Sequence, residues 1–147
     1  MAAKPETIFI TSVHRHLPDK KVPHREKMCN PYSSGTADVW YSGNADIWVE
    51  YKFIKVPARD ATPVQAELSE LQKDWLRGRH KEGRKVFVVI GCKDGGVILS
   101  NLDWEKPMPA ADFKKRTMSR HAVAAWILKT TQGATDDPIR QRGVQDH

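Results

Sequence analysis

Apolar and polar positions alternate along two neighbouring stretches of this chain. From Ala37 to Tyr41, Asp38 and Trp40 fall on one side, and Ala37, Val39 and Tyr41 on the other. From Asp46 to Lys52, Trp48, Glu50 and Lys52 share a side, opposed by Ile47, Val49 and Tyr51. A period of two is that of a β-strand. Ser42-Gly43-Asn44-Ala45 between the stretches is turn chemistry, so the pattern predicts a hairpin. A two-residue loop at Gly43-Asn44 would set Asp38 opposite Val49. A three-residue loop, Gly43-Asn44-Ala45, sets Asp38 opposite Glu50, Val39 opposite Val49, Trp40 opposite Trp48 and Tyr41 opposite Ile47. The second register keeps like with like on both faces, and three-residue loops are common hairpin connections. It also places two carboxylates across from each other. Like charges so placed are destabilising, and a cation between them is the simplest relief.

Periodicity and punctuation outline the other elements. A helix is expected from Pro5 to His16, stopped near Pro18, with Glu6, Ile10, Val13 and Leu17 on one stripe. Residues 19–34 and 55–67 read as proline-bearing loops, the second following Lys52 and bordering any site there. Ser69 is a good N-cap and Gln72 completes a capping box, opening a helix that runs to about Glu82 and closes at Gly83. Leu68, Leu71, Trp75 and Leu76 are its expected apolar side, with Gln72 inside that stripe. Val86 to Ile90 is an unbroken apolar run, as for a strand covered on both faces. Asp94-Gly95-Gly96 turns it into Val97-Ile98-Leu99. A last helix is expected after Ser119, running to Thr131 and ended by Gly133. Residues 1–132 are read as one domain and 133–147 as a polar, flexible tail.

Composition narrows the partner. A chain of 147 residues can bury a real core. Its net charge of +6 and pI near 9.4 suit a partner rich in phosphate. The basic residues come in three groups: Arg15, Lys20, Lys21, Arg25 and Lys27; Arg77, Arg79, Lys81, Arg84 and Lys85; and Lys114, Lys115, Arg116 and Arg120. Cys29 and Cys92 lie far apart with no Cys-x-x-Cys pattern, which argues against a structural zinc site or a disulfide framework. The histidines show no ligand spacing. No apolar run approaches a membrane span and no secretory signal is evident, so a soluble, cytoplasmic protein is expected.

The candidate chemistry centres on Glu50-Tyr51-Lys52. Alone, Glu-x-Lys on a strand usually marks a solvated face with a same-strand ion pair. Asp38 at the matching register changes that: two carboxylates and an amine on one face suit a divalent metal, a water and a phosphodiester.

The order of the pieces then becomes specific. Gly35-Thr36-Ala37-Asp38-Val39, a hairpin, Trp48-Val49-Glu50-Tyr51-Lys52, Leu68-Ser69-Glu70-Leu71-Gln72 before a helix, and Gly83 before Val86-Phe87-Val88-Val89-Ile90 resemble the VRR-NUC branch of the PD-(D/E)XK nucleases. The likeness spans roughly Glu6 to Leu99. Ala37 stands where that branch usually has proline, a position that shapes the backbone and does not bind metal.

The resemblance implies an α/β, restriction-endonuclease-like core with a central mixed β-sheet flanked by helices. It implies a Mg²⁺- or Mn²⁺-dependent endodeoxyribonuclease acting on branched DNA, four-way (Holliday) junctions first and flaps second. Small stand-alone members of the branch are often viral and dimeric, which implies a homodimer and, for a viral protein, the host cell as its location. Asp38 and Glu50 would be metal ligands, joined by the Tyr51 backbone carbonyl, and Lys52 would position the attacking water. Glu6 is either a further acid at the metal centre or simply an acid favouring the helix dipole. Gln72 either completes its capping box or orients Lys52 or a water, since one side chain is not expected to do both at once. The competing reading is a non-catalytic nucleic-acid-binding protein, or an inhibitor, that uses the same fold and keeps the carboxylates as structural charges.

Overall fold

A computed structural model describes residues 4–28 and 35–132. Its centre is a five-stranded mixed sheet in the order β1-β2-β3-β5-β6. The strands are β1 (His24–Lys27), β2 (Val39–Ser42), β3 (Asp46–Phe53), β5 (Val86–Cys92) and β6 (Gly95–Leu99). A separate two-residue ladder joins β4 (Pro63–Val64) to β7 (Met108–Pro109). The helices are α1 (Pro5–His14), α2 (Glu70–Lys81), α3 (Ala110–Arg116) and α4 (Arg120–Thr131). A mixed sheet flanked by helices is the architecture the sequence led us to expect.

The hairpin takes the three-residue-loop register. Val39 pairs with Val49, Trp40 with Trp48, Tyr41 with Ile47 and Ser42 with Asp46. Alternation then sorts the side chains between two cores. Val39, Tyr41, Ile47, Val49 and Tyr51 pack with Phe9, Ile10 and Val13 of α1 and Val123 and Ile127 of α4. On the other face, Val86, Val88 and Ile90 pack with Leu76 of α2, Phe113 of α3 and Trp104. Strand β5 feeds both cores, Val89 on one side and Val88 and Ile90 on the other, which is why its sequence is a continuous apolar run rather than an alternation. It runs parallel to β3, with Glu50 beside Val88 and Lys52 beside Ile90.

Close backbone approach fixes two glycines that bear on the site. A Cβ on Gly91 would stand 2.7 Å from the Phe9 ring, so α1 lies directly on β5 there. A Cβ on Gly35 would stand 2.4 Å from the Leu71 carbonyl oxygen, so the segment leading to Asp38 is pressed against the first turn of α2.

Several expectations need correction. Helix α1 ends at His14, two residues early. The segment 19–34 is not all loop: His24–Lys27 forms edge strand β1, antiparallel to β2. Its sequence, His-Arg-Glu-Lys, carries no apolar alternation, because one face of a charged edge strand needs only its backbone ladder. Pro63–Val64 in the second loop also forms a strand, with Val64 buried in the core beneath it. Leu71 is 58% exposed rather than part of the apolar side of α2, where Leu76 is the fully buried residue. Helix α3 and a 3-10 turn at Asp103–Glu105 were not anticipated. The expected ends of the second loop, of α2 and of α4 otherwise hold, with Ser69 and Ser119 as N-caps. Asn30 to Ser34, Cys29, Gly133 and the tail lie outside the described residues. Among the described residues no helix is long and apolar enough to cross a membrane.

Candidate active site

Strand β3 carries the central carboxylate. Glu50 is 1% exposed, an unusual place for a charge, since burying one unpaired is costly. Two donors meet its Oε2: Gln72 Nε2 at 3.1 Å and the Lys52 ammonium at 3.7 Å. The other oxygen, Oε1, is buried without a hydrogen-bond partner among the described residues. Burial pushes the Glu50 carboxyl up to about 8, and the nearby Asp38 carboxylate pushes it the same way, against a smaller opposing pull from Lys52. Without a metal ion beside it, this acid is therefore held toward its protonated form.

Asp38 arrives from the other arm of the hairpin. It sits one residue before β2, so the register that pairs Val39 with Val49 carries it opposite Glu50. Its Oδ2 accepts the Tyr51 backbone N–H at 2.9 Å, and its own carbonyl accepts the Met28 N–H at 2.7 Å. One carboxylate oxygen is thus anchored and the carboxylate is held at the start of β2, inside the sheet. Glu6, half-buried near the start of α1, lies within electrostatic reach. Its carboxyl is raised chiefly by desolvation; Lys52 lowers it and Asp38 raises it further.

Gln72 answers the question its sequence position raised. Its backbone N–H donates to Ser69 Oγ at 3.1 Å, and its side-chain Oε1 accepts the Ser69 N–H at 3.0 Å, completing the capping box. The same side chain donates through Nε2 to Glu50. Both roles hold at once because a primary amide has an acceptor end and a donor end. The N-terminus of α2 is thereby pinned to β3 at the buried acid. The Tyr51 side chain, as alternation requires, points into the opposite core and is fully buried.

Asp38, Glu50, Lys52 and Gln72 thus come together, with Glu6 at the margin. Among the described residues, no three or more His, Cys, Asp or Glu side chains gather into a group able to hold a metal ion. The donors nonetheless fit Mg²⁺ or Mn²⁺. Hard cations take oxygen ligands, and Mg²⁺ is commonly held by one or two carboxylates while water and substrate phosphate complete its shell. A buried acid with an unpartnered oxygen beside a second carboxylate is such a set.

Two further features flank the site. On the core side, His14 Nε2 lies 2.7 Å from the Tyr41 hydroxyl, which lies 2.5 Å from the Tyr51 hydroxyl. This buried chain backs the strand that presents Glu50 and Lys52. Burial holds His14 down at about 4, helped by Arg25, so it is neutral there. The alternation pattern put both tyrosines on the core face, but nothing local pointed to His14. On the site side, Trp40 and Trp48 stack at 5.8 Å with 21° between their planes, and Trp75 meets Trp48 edge-on. The register did pair Trp40 with Trp48; the third ring comes from α2.

No family model matches the sequence, and no curated protein matches it. Among solved structures, the chain is similar to Hjc of Archaeoglobus fulgidus, a Holliday junction resolvase from an archaeal hyperthermophile. The identity is 10%, the match covers 81% of this chain and 99% of that one, and the TM-score is 0.49.

Proposed function

We propose that this protein is a metal-dependent endonuclease of the PD-(D/E)XK type, in its VRR-NUC branch, that hydrolyses phosphodiester bonds of branched DNA. The observation that carries the reading is Glu50: a nearly inaccessible acid beside Asp38, with one oxygen unpartnered and its pKa at about 8. Holding such a group away from solvent costs free energy that its bond from Gln72 offsets only in part. It becomes favourable when a cation enters and takes up the charge of both carboxylates. Asp38 and Glu50 are the proposed ligands, with the Tyr51 carbonyl and Glu6 completing the protein's share. When bound, the metal would lower the pKa of a coordinated water and neutralise phosphate oxygens. Lys52, 20% exposed and 3.7 Å from Glu50, orients the attacking water and stabilises charge developing at phosphorus. Gln72 fixes the Glu50 carboxyl so that its free oxygen faces the site.

The net charge of +6 suits a polyanionic substrate. Four-way junctions are the first substrate to test, flaps the second, and a homodimer is the assembly that would present two such sites to two strands. The assay incubates purified protein with four-way, flap, nicked and linear DNA, in Mg²⁺, Mn²⁺ or EDTA. Cleavage should require the metal, and Lys52→Ala should lower it by about 10²–10³-fold while DNA is still bound. A product that survives EDTA, or full activity in Lys52→Ala, would overturn the reading.

A non-catalytic DNA-binding protein is the second reading, favoured by the internal use of the carboxylates: Asp38 Oδ2 on the Tyr51 amide and Glu50 Oε2 on Gln72. It predicts binding in the same panel with no product under any metal.

A further inference from the structure

Toward the hairpin turn from the carboxylates lies an open cavity of about 680 Å³. Thr36 and Trp48 both line it. Trp48 shares the face of Glu50 two residues nearer the hairpin turn, so the cavity lies along the sheet from Glu50 by about 6.6 Å of strand. Two kinds of side chain dominate its wall. Trp48 and Trp75 meet at 66° with ring centres 5.6 Å apart, forming an aromatic corner. Arg79, Arg84 and Lys85 supply positive charge around it, against one acid, Asp46. Arg79 is engaged, paired with Glu82 at 2.5 Å and lying over the Trp75 ring. Arg84 and Lys85 form no ion pair among the described residues and are exposed. Asp46 is held by the Ser42 hydroxyl at 2.9 Å.

We propose that this cavity takes an unpaired nucleotide of the strand that passes the carboxylates, its base against Trp75 and Trp48 and its phosphates against Arg84 and Lys85. Basic residues alone would serve a duplex backbone equally well. The indoles decide the class, because a base inside a duplex has both faces covered by its neighbours, whereas an unpaired base has a face free to stack. This inference rests on the nuclease reading and refines its substrate. The preferred DNA carries unpaired nucleotides at the branch, as a flap or gap does and a fully paired four-way junction does not.

The test uses the full chain with Glu50→Gln, so that DNA is bound without being cut. A 2-aminopurine is placed at successive unpaired positions of a flap substrate. Its fluorescence should be quenched at one position near the branch, and this signal should vanish in Trp75→Ala. Binding should favour flap over blunt duplex by on the order of tenfold, the range expected for one stacked base. Trp75→Ala and the surface pair Arg84→Glu/Lys85→Glu should each erase that preference, and Trp75→Phe should restore most of it. The charge pair is exposed, on the link between α2 and β5, and so keeps the comparison valid where Trp75→Ala fails to fold. Equal quenching at every position, or a preference unchanged in the charge pair, overturns the pocket. Cleavage by the unmodified protein is measured in parallel. Metal-dependent cleavage with no pocket signal sinks only the pocket. A pocket signal with no cleavage supports the pocket and sinks the nuclease.

Discussion

Glu50→Gln should make the protein more stable at alkaline pH while removing its activity. The Glu50 carboxyl stands at about 8 in the folded protein against 4.5 for an ordinary one. The folded state therefore binds more protons than the unfolded state between those values, and stability falls as pH rises through that window. Over the whole interval of about 3.5 pH units the loss approaches 5 kcal/mol, at roughly 1.4 kcal/mol per unit. His14 has the opposite sign. It titrates at about 4 instead of 6.5, so its neutral form is favoured by folding and stability falls as pH drops below 6.5. The two slopes oppose each other between about 4.5 and 6.5, and above 6.5 His14 no longer contributes, so Glu50 is seen without that opposition up to about 8. Glutamine keeps an acceptor for Gln72 Nε2 and turns a donor toward Asp38, so the substitution is sterically quiet. Urea unfolding in EDTA at pH 6.5 and 9 should show wild type losing about 2 kcal/mol across that interval and Glu50→Gln losing little. Adding Mn²⁺ at pH 9 should restore stability to wild type and leave the variant unmoved. Parallel pH profiles for the two proteins, or a variant less stable than wild type at pH 9, would refute the buried, proton-holding state of Glu50.

Asp38→Asn retains an acceptor for the Tyr51 amide and should fold normally, yet its Mn²⁺ affinity by calorimetric titration should fall at least about tenfold; wild-type affinity would remove Asp38 as a ligand. Gln72→Ala deletes the capping-box acceptor and the donor to Glu50 together, and should cost about 1–3 kcal/mol in chemical denaturation. A loss below 0.5 kcal/mol would mean that the amide holds neither end. Gly35→Ala puts a Cβ at 2.4 Å from the backbone carbonyl of Leu71, where no side chain can swing aside. It should cost about 1–3 kcal/mol and, by moving the segment that carries Asp38, weaken Mn²⁺ binding as well; unchanged melting would show that the approach is not tight.

What could be read in the sequence is what strand periodicity encodes. The faces of Asp38 to Lys52 and the hairpin register follow from alternation and loop length, and the observed pairs Val39 with Val49 and Trp40 with Trp48 are those expected. Asp38 and Glu50 meet because of that register alone. Strands too short or too polar to show a period could not be read: β1 has four charged or ionisable residues and β4 has two residues, so their ladders leave no alternation in the sequence. Tertiary convergence was equally silent. Arg79, Arg84 and Lys85 were visible as basic residues, but their meeting with Trp48 depends on α2 lying across the sheet. Gln72 shows how local and tertiary demands become one. A capping box fixes the backbone and amide acceptor of the first helical turn, which leaves the amide donor a narrow set of directions. Gly35, with no Cβ, lets that turn sit against the segment leading to Asp38. Together they aim the remaining N–H at Glu50. The helix cap is therefore also the device that orients the buried acid, and any change that loosens the cap should disturb the acid before it unfolds the helix.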